Sequence, residues 1–226
     1  MWLTHCKPPR RTMGVTSKNG VTTYICLRCG YVHTEKGIYL ELPKKPENTP
    51  WIPEDLTTAL SPEWTLHYAL RRIFPERSAE LGIMYSKKFD RVFIPIFEDG
   101  KLTYSIVKSF TDPKYIQYGT AEFVLPGNGD RLWLTEDLLS AKALNLAGES
   151  AMFLGGTKLS WKGLSKCKDY KSILVWLDPD LAGWTGTYKI LKDLISWGYL
   201  AKSVTKDAEA KELSSKELTE VISKEI

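Results

Sequence analysis

Apolar and polar positions along this chain follow two rhythms, and the change from one to the other marks where its elements begin and end. From residue 131 onward, compact apolar runs alternate with stretches in which apolar residues recur every three or four positions. The runs RLWLTE, AMFLGG and ILVWLD read as strands, and Ile173 to Trp176 carry no polar residue, as expected of a strand buried on both faces of a parallel sheet. Between them, LLSAKALNLAG predicts a helix stopped by Gly148, and residues 158 to 166 predict a second. Residues 184 to 197 predict a third, with Tyr188, Leu191, Leu194 and Ile195 on one face. YLAKSVTKDAEA brings a fourth strand into a polar loop. Strands alternating with helices predict an α/β fold, a parallel sheet with helices on both faces.

The first half is patterned differently. Residues 1 to 42 hold GVTTYI and YVHTEKGIYLEL, which alternate like the strands of a small ribbon. Residues 43 to 62 carry five prolines among charged and polar residues and read as a linker. Ser61 and Pro62 open a helix with Trp64, Leu66, Leu70 and Ile73 at its apolar positions, ending before Pro75. A short second helix over residues 77 to 81 ends at Gly82. RVFIPIFEDGKLTYSIVKSF then predicts two strands joined at Asp99-Gly100, a strong hairpin signal. The expected organisation is therefore a zinc-ribbon-like unit at 1–42, a linker at 43–62, an α+β subdomain at 63–127 and the α/β domain at 128–226.

Composition narrows the function classes. A chain of 226 residues with 43% hydrophobic content and eight tryptophans is not disordered, and no apolar run reaches the length of a membrane span. The start, MWLTHCKPPRR, lacks the apolar stretch of a secretory signal, so a cytoplasmic protein is expected, with cysteines that are thiols or metal ligands. The net charge is only +4, yet Lys7, Arg10, Arg11, Lys18 and Arg28 crowd the first thirty residues. That local excess suits a nucleic-acid phosphate backbone or, equally, a solvated face.

Two sets of residues have metal-ligand character. Cys26 and Cys29 form a C-x-x-C followed by Gly30, the shape of a zinc knuckle, and Cys6 lies upstream. Position 3 is Leu3 and position 9 is Pro9, so the second C-x-x-C of a regular ribbon is missing and a fourth ligand is needed. His5 is favoured because it adjoins Cys6; His33 is the alternative, but an extended strand carries it ~13 Å from Cys29. Buried free cysteines in a small hairpin are the bland reading, set against the need of so small a unit for a staple.

The second set is acidic. Asp178 and Asp180 follow the strand ILVWL at spacing i, i+2 and lead through Gly183 into a helix. A helix-capping aspartate alone would explain D-x-D in most chains. Glu136 ends another predicted strand, however, and the carboxyl ends of parallel strands share one crevice. Three carboxylates meeting there are costly without a cation, and oxygen-only ligands select Mg2+ or Mn2+. Lys108 and Lys114 flank the loop after the hairpin, where basic side chains can hold a triphosphate or remain solvated.

TE at 135 and 136, LGG at 154 to 156, LDPDLAG at 177 to 183 and TKDA at 205 to 208 resemble, in order and spacing, the Toprim domain. That domain is shared by DNA primases, topoisomerases and recombination mediators. The preceding RVFIPIFEDGKLTYSIVKSF with YIQYGT resembles the basic subdomain before Toprim in bacteriophage T7-type and bacterial primases, and the zinc unit completes their layout. The resemblance implies a primase making short RNA primers on a single-stranded DNA template from NTPs. It implies catalytic Mg2+ or Mn2+ on Glu136, Asp178 and Asp180, and nucleotide phosphates on Lys108, Lys114 and Lys206. Structural zinc would sit on Cys6, Cys26, Cys29 and His5, beside template contacts from Arg10, Arg11 and Arg28. It places such a protein in the cytoplasm of a bacterial cell or phage-infected host. The sequence has no GxxxxGK[ST] phosphate loop, so the helicase partner is expected to be separate. One departure is Ser140, where many relatives carry an acid four residues after the catalytic glutamate. A RecR-type clamp and a Toprim nuclease are the alternative readings.

Overall fold

The computed structural model describes residues 13–18, 21–26, 32–36 and 49–225. The chain divides into two compact units, residues 1–48 and residues 49–226. The first holds strands β1 (Met13–Lys18), β2 (Val21–Cys26) and β3 (Val32–Lys36) in one antiparallel sheet, with Thr16 opposite Thr23 and Tyr24 opposite His33.

The second unit contains two sheets. The first sheet is antiparallel, with β4 (Leu56–Thr57), β5 (Met84–Ser86), β6 (Arg91–Glu98), β7 (Lys101–Lys108) and β8 (Tyr115–Tyr118) in sequential order. Asp99 and Gly100 join β6 to β7 with φ of 50° and 75°, the pair of positive values a tight two-residue hairpin turn requires. Helices α1 (Pro62–Ala69) and α2 (Pro75–Glu80) precede it. Ser61 caps α1 and Trp64 and Ile73 are buried as expected, but Leu66 and Leu70 are 61% and 76% exposed, and Tyr68 is buried in their stead. Trp64 and Tyr68, one turn apart, stack at 5.9 Å on the inner face, while Leu66 lies about 200° around the helix from Trp64 and so faces outward.

The linker expected at 43–62 stops short in the structure. From Trp51 onward the chain packs on the first sheet: Trp51 meets the rings of Phe89 and Phe93 edge-on, and Asp55 accepts hydrogen bonds from Ser86 Oγ at 2.7 Å and Lys88 N at 2.9 Å. Proline disfavours helix interiors and costs a strand one ladder hydrogen bond, but it does not exclude packing.

The second sheet is the α/β body. It contains β9 (Val124–Leu125), β10 (Arg131–Thr135), β11 (Ser150–Phe153), β12 (Ser172–Trp176) and β13 (Leu200–Ser203) in the order β13-β12-β10-β11-β9. All neighbours are parallel except the β9 edge. Helices α3 (Leu138–Leu146), α4 (Trp161–Lys166), α5 (Leu181–Ser196) and α6 (Ser215–Lys224) complete it. Strand residues alternate between two cores. Trp133, Leu174 and Trp176 face α3, α6 and the first sheet, while Leu132, Leu134, Ile173 and Val175 face α4 and α5. Helix α5 starts at Leu181, earlier than expected, and buries Ile190 and Leu194 while Tyr188 and Ile195 stay exposed. Gly183 and Gly186 on its inner face account for this, because the backbone approaches so closely that no larger residue fits.

The chain leaves β10 toward β11 on one side and β12 toward β13 on the other. Connections that diverge from adjacent strands open a crevice at their carboxyl ends. The core beneath that crevice rests on a buried polar pair. Glu149 accepts from the Trp133 indole at 2.8 Å and pairs with Arg131 at 2.6 Å. Glu149→Ala should therefore lower stability by about 2–4 kcal/mol, because it leaves a buried indole N–H and a half-buried guanidinium without their acceptor. Urea denaturation measures this, and a loss below about 0.5 kcal/mol would show that water replaces the carboxylate freely.

Candidate active site

The crevice is built from three chain segments. Strand β10 ends at Thr135, whose hydroxyl donates to the Asp137 carbonyl at 3.0 Å and so fixes the turn that presents Glu136 and Asp137. Asp137 caps α3, accepting from Leu139 N at 2.8 Å and Ser140 N at 3.3 Å. Strand β12 delivers Asp178, whose carbonyl accepts from Asp180 N at 2.8 Å, and Asp180 caps α5 by accepting from Gly183 N at 2.7 Å. A Cβ at Gly183 would lie 2.1 Å from the Asp178 carbonyl oxygen, so the turn demands glycine. The third segment follows β13. Val204 N donates to the Val175 carbonyl, the Trp176 indole donates to the Ala208 carbonyl, and a single 3-10 turn (Ala210–Glu212) places Glu209 and Lys211 over the crevice.

Asp137, Asp178 and Glu209 each offer a carboxylate oxygen within 4.8 Å of the others. Lys211 pairs with Asp137 at 3.2 Å and, more closely, with Glu209. Glu136 accepts a hydrogen bond from the Asp178 backbone N–H, while its Oε2 is buried without a hydrogen-bond partner. Lys108 enters from β7 and, with Tyr115, Glu136, Asp137, Gly155 and Gly156, lines a cleft of about 190 Å³.

The protonation equilibria reflect this crowding. Burial, then the charges of Asp137 and Glu136, push the Asp178 carboxyl up to about 6, and it lies close enough to Glu209 to share a hydrogen bond. Burial raises Glu209 to about 7 despite Lys211. Glu136 is raised by burial and by Asp180, Asp137 and Glu209. Burial also opposes ionisation of Asp137, but Lys211, Ser140 and Lys108 outweigh it and hold that carboxyl below its usual range. Burial lowers Lys108. A set of hard oxygen donors that repel one another, one with an orphaned buried oxygen, fits a divalent cation such as Mg2+ or Mn2+.

Of the residues expected here, Glu136 and Asp178 come together, and Asp180 stands beside them with its carboxylate engaged in capping α5. Lys108 reaches the cluster. Lys114 is exposed, and Lys206 lines a separate groove with Pro179, Trp184 and Tyr188. Asp137, Glu209 and Lys211 were not anticipated. Asp137 caps α3 with one carboxylate oxygen and meets Lys211 with the other. Ser140, at the position where an acid was expected, lies in the first turn of α3 and is buried. Cys26 closes β2, whereas His5, Cys6, Cys29, Arg10, Arg11 and Arg28 lie outside the described residues.

No family model matches the sequence, and no curated protein matches it. Among solved structures, the primase fragment of the Bacteriophage T7 primase-helicase protein matches with a TM-score of 0.55 at 14% identity, over 92% of this chain and 94% of that one. This chain has the fold of that primase fragment. The zinc-binding and RNA polymerase domains of the Aquifex aeolicus primase also match, with a TM-score of 0.48 at 19% identity, over 75% of this chain and 50% of that one. The α/β expectation is thus met: in the primase fold seen here, a sheet with a parallel centre carries helices on both faces and follows an antiparallel sheet of equal strand number.

Carboxyls raised by folding keep their protons to higher pH in the folded chain than in the unfolded one. Their contribution to stability is present at low pH and is lost as pH rises through about 6 and 7. Asp137 works in the opposite sense, but only at and below the ordinary carboxylate range. The melting temperature in a chelator should therefore fall between about pH 5 and about pH 7.5, and Mg2+ or Mn2+ should raise it more at the higher pH. A metal-induced increase that is equal at both pH values would contradict this.

Proposed function

We propose that the protein is a DNA primase that synthesises short RNA primers on single-stranded DNA. The observation that carries this reading is Glu136 Oε2, buried and without a partner, beside Asp178 at the carboxyl ends of two parallel strands in a chain with a primase-fragment fold. Glu136, Asp178 and Asp180 would hold divalent ions, which when bound lower the pKa of an attacking 3′-hydroxyl and steady charge on the triphosphate. Asp137 and Glu209 extend that acidic surface. Lys108 lines the cleft beside Glu136, in a place suited to a nucleotide phosphate, and Lys114 and Lys206 would extend phosphate contacts outward. Burial weakens the charged form of Lys108, so an arriving phosphate would gain a cation that water hydrates poorly.

Residues 1–48 form a unit of their own, as expected of a template-binding module. Cys6, Cys26, Cys29 and His5 would bind structural zinc there, and Arg10, Arg11 and Arg28 would contact template phosphates. Among the described residues no helix is long and apolar enough to cross a membrane. The reading includes a cytoplasmic setting and a separate helicase partner.

The test is incubation with single-stranded DNA, NTPs and Mg2+ or Mn2+, followed by sizing of products. Short oligoribonucleotides are expected from the wild-type chain. Asp178→Asn and Glu136→Gln should reduce them by at least about 100-fold while circular dichroism stays native, since amides keep the shape and remove the charge. DNA binding with no NTP-dependent product would favour a clamp instead, and DNA cleavage would favour a nuclease.

A further inference from the structure

The two sides of the acidic cluster differ in how their charge is met. On one side Lys211 Nζ touches both Asp137 and Glu209, and its side chain is only 13% exposed. On the other side Glu136 Oε2 is buried with no hydrogen-bond donor, and what Asp178 gives Glu136 is a backbone N–H. We infer that Lys211 is a resident cation of the site, filling the position between Asp137 and Glu209 so that a divalent ion is held tightly only on the Glu136 and Asp178 side.

The inference rests on the metal-binding reading above and deepens it. Hard cations sit about 2.0–2.6 Å from carboxylate oxygens. Three oxygens within 4.8 Å of one another can share a single ion at that range, but an ammonium already in contact with two of them occupies the same space. A divalent ion can reach Asp137 and Glu209 only by displacing Lys211.

Lys211 is not a loose surface lysine that happens to lie near. It stands in a turn whose Ala210 is buried and whose start is fixed by reciprocal capping between Glu209 and Glu212. The Trp176 indole holds the preceding carbonyl, Ala208 O, at 3.3 Å. A side chain so enclosed would be costly to leave unpaired, which ties it to the two carboxylates.

Manganese binding tests this, followed by electron paramagnetic resonance of free Mn2+ during titration, with melting temperature as a second readout. The wild-type chain should bind about one ion tightly. Lys211→Met should bind about two, or gain at least about tenfold in affinity at the second position, and its metal-free form should melt lower while Mn2+ restores it. Lys211→Arg should keep a single tight ion. Equal stoichiometry and affinity in wild type and Lys211→Met would overturn the inference while leaving the metal site standing. A wild-type chain that binds no Mn2+ would overturn the metal reading itself and the inference with it. If Lys211→Met does not fold, Lys211→Gln with the same titration decides the matter.

Discussion

Mutual repulsion among carboxylates gathered at the carboxyl ends of two adjacent parallel strands is the constraint that shapes this protein. Glu136 and Asp137 arrive on β10, Asp178 on β12, and Glu209 from the turn after β13. Each is placed by backbone geometry that leaves it little freedom to move away: the cap on α3, the glycine-dependent turn at Asp178, and the reciprocal cap at Glu209. A fold that spends such specific geometry on holding like charges together is set up to receive positive charge. Lys211 and Lys108 supply part of it from within the chain. The orphaned oxygen of Glu136 marks where more is wanted.

The antiparallel sheet bears on the same site. Strand β7 carries Lys108 at its end, and its buried residues Tyr104 and Ile106 share a core with Trp133, Leu138 and Phe153 of the α/β body. That shared core fixes the lysine against the acidic crevice. Lys108, Glu136 and Asp137 thus line one cleft, a lysine from one sheet beside carboxylates from the other.

Much of the body was legible from the sequence because strands buried on both faces and their flanking glycines leave strong patterns. ILVWL, RLWLT and the Asp99-Gly100 hairpin all stand where periodicity and turn chemistry put them. Helix faces were less legible. In α1 the buried face is set by Trp64 and Tyr68, one turn apart, which leaves Leu66 on the outer side, and in α5 the buried face runs through two glycines and leaves Tyr188 outside. The proline-rich stretch hid packed residues from Trp51 on, since composition reports backbone restriction and says nothing of contacts. At the site, Glu136 and Asp178 were visible as strand-end acids. Asp137 and Lys211 were not, because their roles depend on a cap and a 3-10 turn that bring residues over seventy positions apart into contact.

Crystals grown with Mn2+ and measured near its absorption edge test the central claim most directly. An anomalous peak bonded to the carboxylates of Glu136 and Asp178, with Lys211 still between Asp137 and Glu209, is the predicted result. A well-ordered crevice with no peak at Asp178, or a peak held only by residues outside Glu136, Asp137, Asp178, Asp180 and Glu209, would contradict it.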